Sequence, residues 1–132
     1  MRVYELPAEL PPIDALNHES VMQAVSRGIE LLNQYYSYRS RGWRDSLDLT
    51  LLDAGSLDRD IIGQLFGGCQ DGEEWTYWAG LLFDTDEPTD FQLVSHGFEI
   101  DTACPATNRA DPRTRKRYAL LTQCWLEALA DH

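Results

Sequence analysis

Two runs of helical periodicity, one near each end of the chain, constrain this sequence more than any other feature. Val21, Val25, Ile29, Leu32 and Tyr36 recur at intervals of four or three, and Tyr118, Leu121, Trp125 and Leu129 do much the same. That spacing puts each set on one face of an α-helix, so each run carries an apolar stripe that has to be covered. Asn17 is placed to cap the first helix, with Leu16 and Val21 as the halves of a hydrophobic staple, which predicts a helix over about 18–37. Asp111 and Pro112 suit the cap and first position of the second, predicted over 112–130. The two stripes are expected to pack on each other, and Gly28 permits a close crossing.

Shorter elements fill the middle. Ser56 or Asp58 is expected to cap a helix containing Ile61, Ile62, Leu65 and Phe66, which Gly67-Gly68 would end. Asp71-Gly72-Glu73-Glu74 leads into a short helix with Trp75, Trp78 and Leu82 on one face, its acidic first turn favoured by the helix dipole. The run 46–52 fits a strand or a bent helical turn equally well. Residues 84–90 read as an exposed loop, followed by a short docking segment with Phe91, Leu93 and Val94 before His96-Gly97-Phe98. Pro7, Pro11 and Pro12 predict an extended segment over 1–17 that lies across the domain. A second loop is expected through Cys104-Pro105 and Asn108-Arg109-Ala110. With 132 residues and 43% of them hydrophobic, the chain has material for one core. The expected fold is a mainly α, compact single domain over 18–132, with irregular loops and at most minor β structure.

Charge is distributed very unevenly. The chain holds 22 acidic and 11 basic residues, but residues 45–108 hold 14 of the acids and a single base, Arg59. Such a segment holds a strong negative field unless a partner or a neighbouring basic helix compensates it. The candidates on hand for that role are Arg113, Arg115, Lys116 and Arg117, which sit early in the last helix, where they oppose its dipole and are expected to be hydrated or paired. A net charge of −11 argues against direct nucleic-acid binding. No stretch approaches the roughly 18 apolar residues of a membrane span, and no secretory leader is recognisable, so no membrane contact and a cytoplasmic location are expected. Three Cys leave an odd thiol in any disulfide scheme, which favours a reducing compartment.

The candidate partner surface consists of Asp71, Glu73, Glu74, Asp84, Asp86, Glu87 and Asp90, with Trp75 and Trp78 as aromatic anchors. Carboxylates on turns and helix starts also serve solubility, and Trp43, Trp75, Tyr77 and Trp78 serve packing as readily as binding. His96 with Glu99 or Asp101 has the residue types of an acid–base pair, and Cys69, Cys104 or Cys124 those of a nucleophile, but no local arrangement favours catalysis. His96 is expected to face solvent or to be hydrogen-bonded locally, and Cys124 beside Trp125 to be a packing residue. The His at 18, 96 and 132 and the Cys at 69, 104 and 124 show no metal-ligand spacing, while Asp84, Asp86 and Asp90 lack the rest of a calcium loop. Gly63 to Gly68 lacks the lysine of a phosphate loop. No metal, cofactor or catalytic residue is therefore expected.

Taken in order, Arg41-Gly42-Trp43, the leucines of 49–52, Gly63-Gln64-Leu65-Phe66-Gly67, His96-Gly97-Phe98 and the segment 118–125 resemble a family of small actinobacterial and actinobacteriophage proteins of uncharacterised role. The resemblance covers about residues 21–128. Its relatives carry a cysteine-containing segment where this chain has Asp60-Ile61-Ile62, so no thiol or metal role carries over. A phage or mobile-element setting implies a host-interaction protein. One form would be an inhibitor of a basic nucleic-acid-binding or defence protein, DNA mimicry included, although mimicry needs two ordered lines of carboxylates. The alternatives are a small ligand-binding protein or enzyme using His96 and the aromatic middle, and a structural or regulatory homo-oligomer joined around Trp75 and Trp78.

Overall fold

The computed structural model describes residues 17–36, 42–68, 71–100 and 112–130. Helix α1 spans His18–Tyr35, α2 Ile61–Leu65, α3 Gly72–Phe83, α4 Asp90–Ser95 and α5 Pro112–Ala130, with a 3-10 turn at Trp43–Ser46. Among the described residues there is no β-strand, and the run 46–52 resolves into the end of the 3-10 turn followed by hydrogen-bonded turns. The result is a compact, mainly α-helical single domain. The expected lead segment, Leu16, the Asp111 cap, Cys69, Cys104 and the loop around Asn108 lie outside the described residues.

Asn17 caps α1 as its position in the sequence suggests, its side chain accepting from the Ser20 amide at 3.0 Å. Helix α2 starts differently. Ser56 and Asp58 bond to each other at 2.5 Å, and the cap is Asp60, whose Oδ1 accepts from the Gly63 amide at 2.7 Å. Its other oxygen, Oδ2, accepts from Trp75 Nε1 at 2.8 Å. One buried carboxylate thus starts α2 and ties it to α3, which is why capping moves to Asp60: a buried indole N–H needs an acceptor, and of the three polar side chains only that of Asp60 is buried.

The two stripes do meet. Helices α1 and α5 lie against each other, burying Val21, Val25, Ile29 and Leu32 on one and Tyr118, Leu121, Trp125 and Leu129 on the other. The turn after α4 is wedged onto that pair. Gly97, at φ 74°, closes α4 with amide bonds from Gly97 to the Val94 carbonyl (3.2 Å) and from Phe98 to the Leu93 carbonyl (2.9 Å). This is the Schellman arrangement, in which the left-handed residue is almost always glycine. Two carbonyls of the turn are taken up by the two long helices. Arg27 Nε donates to Ser95 O at 2.7 Å, and Trp125 Nε1 donates to Gly97 O at 2.7 Å. Phe98 stacks on Trp125 with ring centroids 5.8 Å apart.

Gly28 makes this seating possible, since a Cβ there would stand 2.2 Å from the His96 carbonyl oxygen and 3.1 Å from the Trp125 ring. Backbone, rather than a flexible side chain, is the obstacle, so relief requires moving the turn. Gly28→Ala is expected to destabilise the domain by about 1–3 kcal/mol or more, the range typical of overpacking a filled core. Urea unfolding of the variant beside the parent measures this, and a shift in midpoint at unchanged slope is the expected form.

Candidate functional site

Helix α3 and the loop after it build the site. Asp71 caps α3, accepting from the Glu74 amide at 2.9 Å. The helix presents one face inward through Trp75, Ala79 and Leu82, all buried. At 100° per residue, Glu73 and Tyr77 fall on the opposite face from Trp75, and Tyr77 is 59% exposed. At the far end Asp84 adopts a left-handed conformation, φ 57°, and the chain reverses. Thr85 N donates to Gly80 O at 3.0 Å, and the Thr85 carbonyl oxygen lies where it would be 2.4 Å from a Cβ on residue 80. The missing side chain lets the loop lie flat along α3. Thr89 and Gln92 then form a reciprocal capping box that starts α4 and fixes the loop's other end.

This path brings Asp86 and Glu87 back beside the start of α3. Together with Asp71, Gly72, Glu73, Thr76 and Tyr77 they line an open concavity of about 920 Å³. Carboxylates thus come to this surface from two segments, the start of α3 and the loop after it, beside the exposed Tyr77 ring. Among the described residues, none of Asp71, Glu73, Asp86 and Glu87 is in an ion pair with a Lys or Arg.

The other residues of the expected partner surface divide. Glu74, Asp84 and Asp90 do not line the concavity, although Asp84 and Asp90 are exposed nearby in the chain. Trp75 does not belong to the surface at all: it is 5% exposed, held in the core by Asp60. Trp78 is half-buried, stacked on Phe66 at 5.1 Å, and contributes to packing. The aromatic of the site is Tyr77, whose place opposite Trp75 on the helical wheel is the signal that singles it out.

His96 is fully buried rather than solvent-facing. Its Nδ1 lies 2.8 Å from the Gln92 carbonyl, the local hydrogen bond that was the other expectation, and its ring packs edge-on against Phe83 at 4.9 Å. Burial pushes its pKa down to about 4, and the nearby Arg27 charge acts in the same direction. Glu99 is engaged elsewhere, accepting from Tyr118 OH at 2.5 Å, and Asp101 lies outside the described residues.

A second grouping brings together residues far apart in the chain. His18 Nε2 lies 2.6 Å from Glu127 Oε2, and the donor atoms of His18, Glu127 and Cys124 all fall within 4.8 Å of one another. Cys124 is fully buried, as a packing residue would be, and burial together with the Glu127 charge pushes its thiol up to about 11. The His and Cys that look scattered along the sequence are therefore partly gathered in space. Among the described residues, no helix is long and apolar enough to cross a membrane.

Comparison with protein-family models, with curated proteins and with solved structures finds no match to this chain.

The burial of His96 sets a pH dependence. The unfolded chain protonates this ring near pH 6.5 and the folded one near 4, so stability is full above about 6.5 and falls as pH drops through that window. A shift of this size corresponds to roughly 3 kcal/mol at the acid end. Unfolding free energies measured from pH 7 to 4 for the parent and for His96→Gln are expected to show a shallower slope in the variant. Carboxylates common to both chains cancel in that difference.

Proposed function

We propose that this protein is a non-enzymatic binding protein that receives a cationic segment of a partner protein in the concavity between α3 and the loop after it. The observation that carries this reading is the convergence of Asp71, Glu73, Asp86 and Glu87 beside the exposed Tyr77, with no Lys or Arg ion-paired to them among the described residues. Carboxylates gathered on one surface without a cationic partner reinforce one another's field, which speeds encounter with a basic surface and orients it. The Tyr77 ring offers a face on which an arginine or lysine head group can rest, worth roughly 0.5–1 kcal/mol at an exposed site. Docking of this kind needs a rigid complementary wall and no reacting group, which accords with the deep burial of His96.

In the phage or mobile-element setting that the sequence resemblance implies, the partner is a basic nucleic-acid-binding or defence protein, and occupancy of its basic groove inhibits it. Carboxylates brought together from two separate segments support this form of the reading, since they concentrate negative charge on one surface that a basic groove can meet.

Pull-down from host lysate by the parent chain and by the triple reversal Glu73→Lys, Asp86→Lys and Glu87→Lys tests the proposal. All three positions are exposed, so the fold is expected to persist. The parent is expected to retain a basic protein that nucleic acid competes away. The reversed chain is expected to associate at least about ten times more slowly at low salt. Undiminished, salt-independent capture by the reversed chain contradicts the proposal.

A further inference from the structure

We propose that His18, Cys124 and Glu127 form a binding site for a divalent transition-metal cation of the Zn2+ type, joining the start of α1 to the last turns of α5. The three side chains supply an imidazole nitrogen, a sulfur and a carboxylate oxygen, each a standard zinc donor. They come from two helices that already pack together, and their donor atoms lie within 4.8 Å of one another.

The backbone places these donors firmly. His18 is the first residue of α1, and the Asn17 cap fixes where that helix begins. Cys124 and Glu127 are three residues apart on α5 and so lie one turn from each other on the same face. Cys124 Sγ lies 3.9 Å from the His18 carbonyl oxygen, which puts the sulfur beside the start of α1.

Bond lengths of about 2.0–2.3 Å to zinc put neighbouring donors of a tetrahedral site roughly 3.3–3.6 Å apart. The hydrogen-bonded His18 and Glu127 atoms, now 2.6 Å apart, have to open by about an ångström to admit the ion. Both side chains are about half exposed and have rotamer freedom to do so, while the buried sulfur stays in place. On binding, the Cys124 thiol gives its proton to solvent and binds as the thiolate, His18 binds as neutral imidazole and Glu127 as carboxylate. Two anionic ligands then balance the dication, and a water molecule would complete a four-coordinate site.

Titration of the full-length chain with Co2+ tests the assignment, in a Cys69→Ser, Cys104→Ser background that removes the other two thiols. The expected result is one equivalent bound, with thiolate-to-cobalt charge-transfer absorption and the visible bands of tetrahedral cobalt, both bleached by Zn2+. Zn2+ is also expected to raise the melting temperature. Replacing an exposed ligand, His18→Gln or Glu127→Gln, is expected to weaken binding by at least the about 10–100-fold that loss of an outer partner of a metal ligand costs. Cys124→Ser is expected to abolish the charge-transfer band. These exposed-site variants keep the test valid if the buried replacement unfolds. No cobalt spectrum, binding without thiolate absorption, or unchanged affinity in His18→Gln and Glu127→Gln each overturns the proposal.

Discussion

The seating of the turn after α4 in the notch at Gly28 is the contact on which the rest of the arrangement depends. Three successive carbonyls of that turn, on Ser95, His96 and Gly97, meet Arg27, Gly28 and Trp125 in turn. The Ser95 and Gly97 oxygens gain hydrogen-bond donors, and the bare Gly28 leaves room for the His96 oxygen between them. Because the turn belongs to the end of α4, fixing it fixes α4 against the paired long helices. The Thr89 capping box then fixes the loop that precedes α4. The acidic wall formed by Asp86 and Glu87 is thus held at one end by the core and at the other by its close approach to Gly80.

The part of the surface on α3 depends on a second buried contact. Asp60 accepts from both the Gly63 amide and the Trp75 indole, so the rotation of α3 about its axis is set by a side chain of another helix. With Trp75 turned inward, helical geometry sends Glu73 and Tyr77 outward together. A carboxylate buried among apolar groups is costly unless its oxygens are occupied, and here both are. The same interaction that removes Trp75 from the surface creates the face that Tyr77 and Glu73 present.

Much of this was legible in the residues. The stripes of α1 and α5 are long enough for their period to be unambiguous, Asn17 and Pro112 mark their starts, and Gly28 marks the crossing. The helical run after Asp71 and the exposed loop at 84–90 were equally readable, because caps and charges act locally. What the residues hid was set by contacts between segments. Asp60 captures the α2 cap because of Trp75, fifteen residues on. Period alone cannot tell which aromatic of Trp75-Thr76-Tyr77-Trp78 faces outward, since three bulky rings compete for one buried side. His96 sits in a polar-looking turn, yet the turn is pulled into the core by its backbone. His18 lies more than a hundred residues from Cys124, beyond the reach of any spacing rule.

A titration of the isotope-labelled chain with an arginine-rich peptide, followed by amide chemical shifts, tests the central claim most directly. Salt-sensitive shifts concentrated at Asp71, Glu73, Thr76, Tyr77, Asp86 and Glu87, on α3 and the loop at once, are expected. Shifts scattered over the acidic residues at large, or confined to one of the two segments with Tyr77 unmoved, would contradict a single receiving surface.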